Sequence, residues 1–185
     1  MLVPYENPSG RCQAQSHRIV PQAQDRGNLV ADSAETTGLK WVAPGVAFSG
    51  VSLYNSANIS IPNTTHTTLT WNSENYDTDS YHSTSTNTSR ITVPTTGYYR
   101  VTSQCILPAA GDATIMRILK NGTDVQVTYM DGDANTYALG FITGSFYLSA
   151  NDYLEVSVWQ NTGTSKDVFG GTNGYYTNFQ VERLG

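Results

Sequence analysis

From Val46 to the C-terminus the chain repeats one pattern. Short runs alternate apolar and polar residues with a period of two, and clusters of Gly, Asn, Asp or Pro separate them. A period of two puts successive side chains on opposite faces of an extended strand, so each run reads as a strand with one buried face. The runs cover residues 46–54, 59–61, 67–71, 90–93, 98–107, 114–120, 124–130, 140–148, 153–160 and 177–184. Asn121-Gly122 stands between two of them and is the strongest two-residue hairpin signal. Ten short strands at this spacing predict an all-β sandwich over residues 46–185.

Composition removes the helical alternatives. Thr, Ser, Asn and Gly fill 71 of 185 positions, and Lys occurs only three times. Charged residues are 14 % of the chain, against about 25 % in an ordinary soluble domain. Strong helix formers are too scarce for a bundle or coiled coil, while Thr and Tyr suit a pleated, half-buried surface. The net charge is −5 and no basic stripe occurs, so nucleic acid is not an expected partner. No apolar run reaches the roughly 18 residues of a membrane-spanning helix. The first residues, Met1 to Glu6, lack the charged and apolar regions of a secretory signal. Cys12 and Cys105 are too few for a disulfide framework. Cys105 sits in a strand pattern and reads as a buried thiol, Cys12 as an exposed one.

Residues 1–45 carry no periodic apolar pattern and cannot bury enough surface to fold alone. They form an extended attachment arm and linker held by another chain. Residues 1–28 have a net charge of +1 from Arg11, Arg18 and Arg26 against Glu6 and Asp25. Ile19, Val20, Leu29 and Val30 are the apolar anchors of this arm, and the three arginines suit an acidic partner surface.

On the last strands Tyr147, Tyr153 and Trp159 alternate opposite the core positions. Large aromatics on an outward face leave a patch of the kind that marks an interface. These three residues are therefore the expected subunit contact.

Chemistry-bearing constellations are few. His17, His66 and His82 have no metal-ligand spacing, and His66 and His82 fall in Thr/Ser-rich loops as surface residues. No Gly-x-Ser-x-Gly elbow is present, and no enzyme activity is expected. Asp131, Asp133 and Asn135 resemble the start of a calcium loop. Thr136 and Ile142, however, stand where the sixth and twelfth ligand-loop positions need Gly and Glu. A polar turn is the competing reading, and it applies to Asp77 and Asp79 as well. No cofactor is expected beyond that calcium alternative. Tyr76, Tyr81, Tyr175 and Tyr176 lie in loops, where amphipathic rings can stack on sugars or pack at loop bases.

The strand series resembles the globular-head domain of complement component C-one-q, a relative of the tumour-necrosis-factor jelly roll. Ala47-Phe48-Ser49, Val93-Pro94-Thr95-Thr96-Gly97-Tyr98-Tyr99, Leu119-Lys120-Asn121-Gly122, Gly144-Ser145-Phe146-Tyr147-Leu148 and Phe179-Gln180-Val181 carry the likeness in order. The stretch from Thr68 through Glu74-Asn75-Tyr76-Asp77-Thr78-Asp79 is similar to bacterial and phage members. Ala31-Asp32-Ser33 with Thr37-Gly38-Leu39-Lys40-Trp41 resembles a linker of phage virion proteins. Arg183 departs from the small or apolar residue usual in the last strand.

The resemblance implies a ten-stranded jelly-roll sandwich that forms a compact homotrimer. It implies a virion structural protein on the exterior surface, a capsid decoration or head-fibre knob. Its arm would bind the major capsid protein or another virion protein. The arm's length leaves no room for a fibre shaft, which favours the capsid over the tail. A tail-fibre or receptor-binding tip that recognises host-surface glycans is the alternative.

Overall fold

The computed structural model describes residues 28–31, 33, 34, 36–42, 47–108, 113–130 and 136–185. The chain divides into two compact units, Met1–Gly45 and Val46–Gly185. In the first, β1 (Asn28–Ala31) and β2 (Leu39–Val42) pair as an antiparallel hairpin, with Leu29 opposite Trp41. Gly38, at φ 68°, precedes β2 in a left-handed conformation that glycine adopts without a Cβ penalty. This pairing of residues 28–31 with 39–42 is a feature the sequence pattern does not announce.

The second unit holds twelve strands among the described residues. They are β3 (Gly50–Tyr54), β4 (Ile59–Ile61), β5 (Thr67–Thr68), β6 (Ser73–Asp77), β7 (Ile91–Thr92) and β8 (Gly97–Pro108), followed by β9 (Thr114–Lys120), β10 (Thr123–Met130), β11 (Tyr137–Leu148), β12 (Tyr153–Gln160), β13 (Lys166–Val168) and β14 (Asn178–Arg183). Ten of them make two five-stranded antiparallel sheets. Sheet I runs β10-β9-β12-β5, with β7 also pairing β12; sheet II runs β11-β8-β14-β3-β6. The remaining two, β4 and β13, form a small ribbon. A short 3-10 turn, Thr172–Gly174, precedes the last strand.

Local chemistry explains the connections. Asn121 and Gly122 sit at φ 51° and 78°, the conformation a two-residue hairpin turn demands, and Thr123 pairs directly with Lys120. Asn151, at φ 72°, turns β11 into β12, and Asp152 caps that turn by accepting the Ser149 N–H at 2.8 Å.

The core fills the space between the inner faces of the sheets. Leu69, Ile91, Met116, Ile118, Leu154, Val156 and Val158 belong to the sheet I side, and Leu53, Tyr99, Val101, Leu107, Ile142, Phe179 and Val181 to sheet II. Trp71 packs on Phe179, with ring centroids 5.7 Å apart. Cys105 is a fully buried free thiol, as its strand position predicts, and its Sγ lies 3.6 Å from Met116 Sδ. Arg183 continues the last strand, its N–H donating to the Ser49 carbonyl at 2.9 Å, and its side chain runs past Gly97.

Candidate interaction surfaces

The outward face of sheet II carries two aromatic ends and a polar belt. At one end Tyr98 of β8 pairs with Tyr147 of β11. Their rings meet edge to face at 5.2 Å, and they are 61 % and 56 % exposed. At the other end Phe141, Leu139 and Tyr137 stand outward at every second position of β11, each more than half exposed. Tyr137 contacts Phe169, which contacts Tyr176, which contacts Tyr175. Exposed apolar side chains clustered at each end of one face form patches of the kind that a partner covers.

The belt between these ends is internally satisfied. Arg100 of β8 forms an ion pair with Glu182 of β14. Tyr76 donates its hydroxyl to Glu182 Oε1 at 3.4 Å, and burial together with the nearby carboxylate pushes that hydroxyl above the usual phenol range. Gln180 donates to Ser52 Oγ at 3.2 Å, and Thr102 and Thr143 pair at 3.3 Å. Covering this face would therefore leave no charge without a partner, the condition that makes burial of ions tolerable.

Sheet I presents a different face. Tyr153 is half-buried, with the Arg90 guanidinium carbon 4.0 Å from its ring centroid. Trp159 is half-buried beside the His66 ring at 6.1 Å. Burial and the Arg117 charge lower the His66 pKa, favouring the neutral imidazole. Tyr129 and Val127 on β10 remain exposed.

The structure does not bring Tyr147, Tyr153 and Trp159 onto one face: Tyr147 lies on sheet II and the other two lie on sheet I. The reason is topological: β11 pairs β8, while β12 pairs β9, so consecutive strands belong to opposite sheets. The residues that join Tyr147 on its own face are Tyr98, Phe141, Leu139 and Tyr137; the last two lie at the start of β11, ahead of the 140–148 run that the periodicity identifies.

Other sequence-derived residues fall as follows. Arg11, Arg18, Ile19, Val20, Arg26, Cys12 and His17 lie outside the described residues, as do Asp131, Asp133 and Asn135. Leu29 and Val30 lie in β1. Tyr81 is 1 % exposed and belongs to the core, so it cannot stack on a ligand. His82 is likewise not a surface side chain. Its ring is fully buried, with Nδ1 2.8 Å from Glu74 Oε1 and Nε2 3.2 Å from the Thr88 carbonyl. Asp77 accepts the N–H groups of Tyr81 and His82, each at 2.9 Å, which is the work of a turn residue. Asp79 accepts from Ser49 Oγ at 2.6 Å and Thr78 Oγ1 at 2.9 Å, and these bonds hold its pKa below the usual carboxylate range.

Two five-stranded antiparallel sheets in this order define a jelly roll of the tumour-necrosis-factor-like type. The crystal structure of murine APRIL at pH 5.0 is a structural neighbour, with a TM-score of 0.60 and 15 % sequence identity. The alignment covers 75 % of this chain and all of that one. At that identity the likeness carries the fold alone. No family model and no curated protein matches the sequence.

Proposed function

We propose that this chain is a non-enzymatic structural protein of a phage virion. Its jelly roll is the knob of a homotrimer on the capsid exterior, and residues 1–45 are its attachment segment. The observation that carries the reading is the asymmetry of the two sheets. Sheet II leaves Tyr98, Tyr137, Leu139, Phe141 and Tyr147 more than half exposed, whereas Arg90 and His66 partly cover the outward aromatics on β12 of sheet I. A second copy of this chain is the occupant that fits, because the paired Arg100–Glu182 belt needs no foreign counter-charge.

A closed ring accounts for the exposed row on β10 as well. Val125, Val127 and Tyr129 border the sandwich edge, where Gln126 Nε2 reaches the Thr143 carbonyl at 2.8 Å. In a head-to-tail ring each copy offers two different surfaces, here a sheet face and an edge. Such an interface would be of the obligate size, roughly 2,000 Å² or more.

The virion assignment rests on the Ala31–Trp41 linker, which resembles that of phage virion proteins, and on the Thr68–Asp79 segment, which is similar to bacterial and phage members of the C-one-q-like family. Three attachment segments on one trimer would multiply their affinity through effective concentration. Capsid co-sedimentation tests the assignment. The full chain pellets with capsids and residues 46–185 alone do not; equal pelleting of both would refute the attachment role. The second reading, a receptor-binding tip, draws support from the exposed Tyr175–Tyr176 pair.

A further inference from the structure

Residues 78–90 carry the chain from β6 at the edge of sheet II to β7 on sheet I. They enclose one side of a surface depression of about 240 Å³. Ser80, Ser83, Thr86, Asn87, Arg90 and Thr92 line it, together with parts of Tyr81 and His82. The lining is thus mainly hydroxyls, one carboxamide and one guanidinium, and none of these residues is acidic.

The depression is built rather than incidental. The Asp77 carboxylate pins the backbone at Tyr81 and His82, and the buried His82 ring joins Glu74 to the Thr88 carbonyl. Ser80 and Asn87 hold left-handed turns at φ 60° and 50°, and Arg90 N–H donates to the Asn87 carbonyl at 2.9 Å. Arg90 itself is aimed from two sides. Its guanidinium lies over the Tyr153 ring, and its Nε donates to Glu155 Oε1 at 3.3 Å. That leaves the two terminal nitrogens as a forked donor on a side chain that is 37 % exposed.

We propose that this depression binds a carboxylated sugar. The Arg90 fork takes the carboxylate through two parallel bonds, the geometry in which guanidinium recognition is strongest. Ser83 Oγ is taken up by the Ser85 and Thr86 N–H groups, but the Ser80, Thr86 and Thr92 hydroxyls and the Asn87 carboxamide are groups that both donate and accept, which matches the hydroxyls of a sugar ring. A neutral sugar offers the terminal nitrogens no charged acceptor beyond the Glu155 carboxylate already on Nε. A phosphate carries at most one or two donors near neutral pH and lacks the ring of hydroxyls that would pair with the acceptor oxygens of the lining. The volume is below the roughly 300–1,000 Å³ of sites that enclose drug-sized ligands, which fits a single sugar unit held from one side. The site is complete within one protomer, so it stands independently of the trimer.

Titration of the full chain with sodium glucuronate, glucose and inorganic phosphate, followed by NMR, tests this. Glucuronate binds in the millimolar range, and glucose and phosphate bind at least about tenfold more weakly. Arg90→Gln weakens glucuronate at least about tenfold, the scale of a lost charge-assisted pair. Arg90 also supports Tyr153 and Glu155, so Thr86→Val, which deletes one exposed hydroxyl, provides a second variant; it weakens binding about threefold. Glucuronate binding persists in a Tyr147→Asp chain that no longer trimerises. Absence of saturable glucuronate binding, equal binding of glucose or phosphate, or unchanged binding in both site variants would overturn the proposal.

Discussion

Tyr98 on β8 and Tyr147 on β11 face each other across a strand pair, edge to face at 5.2 Å, and both residues are more than half exposed. Such a pair gains from ring geometry yet leaves most of its apolar area in water. The same face continues through Phe141, Leu139 and Tyr137. On the other sheet, Arg90 lies over Tyr153 and His66 beside Trp159. The outward aromatics of β12 are thus partly covered within the chain, whereas those of sheet II, and Tyr129 at the β10 edge of sheet I, are left open.

Tyr147→Asp should dissociate the assembly, because it places a charge in the middle of a desolvated aromatic contact. Trp159→Ala, on the opposite sheet, should leave the assembly intact. Light scattering on both variants, with circular dichroism as the check on folding, separates the two faces. Dissociation by Trp159→Ala with an intact Tyr147→Asp oligomer would assign the interface to sheet I.

Cys105 should resist alkylation in the native protein. The thiol is fully buried and burial pushes its pKa up to about 12, so the reactive thiolate is scarce. In a Cys12→Ser background, iodoacetamide labelling at pH 8 should be slow without denaturant and complete within minutes in guanidinium. Fast native labelling would mean that the space between β8 and β9 opens readily.

Gly170→Ala should destabilise the sandwich by about 3 kcal/mol, at the upper end of overpacking costs. A Cβ at Gly170 would lie 2.2 Å from the Ala57 carbonyl oxygen, and backbone cannot rotate aside as a side chain can. Gly170 N–H also donates to Asn58 Oδ1 at 3.0 Å, which fixes the approach. Urea unfolding of the variant measures the loss; a change below about 0.5 kcal/mol, typical of an unconstrained surface site, would contradict this packing.

Asp152 clamps the β9–β10 turn to the β11–β12 turn. It pairs with Lys120 Nζ at 2.8 Å and accepts from Asn121 Nδ2 at 2.7 Å, and these contacts bring its pKa down to about 2. The folded value lies below the usual 3.9 of an unpaired aspartate. Its stabilisation is therefore fully present above about pH 4 and disappears as the pH falls through about 2. The clamp lies at the surface, so its contribution is under about 1 kcal/mol. The Tm difference between wild type and Asp152→Asn should be constant from pH 5 to 7 and shrink towards pH 2. A difference that grows with acid would reverse the assignment.

Much of the sandwich was legible in the chain. Alternation located β8, β9, β11 and β12, and Asn121-Gly122 announced its hairpin. β6 was not legible, because Ser73-Glu74-Asn75-Tyr76-Asp77 is polar on both faces and pairs only at a sheet edge. The buried state of Tyr81 and His82 was hidden too. They sit in a loop without periodicity, and their burial depends on Ser49, Glu74 and Asp77 reaching them from elsewhere. Periodicity gave the outward side of β11 and β12 correctly but could not say that those sides belong to opposite sheets. That information resides in strand pairing, which is why Tyr147 separated from Tyr153 and Trp159.

The central claim is that sheet II is covered by further copies of the same chain. The solution mass of the full chain at micromolar concentration tests it most directly. A single species near 60 kDa, three times the 20.1 kDa chain, is the predicted result. A species that stays near 20 kDa on concentration would contradict it and leave the aromatic face for a different partner.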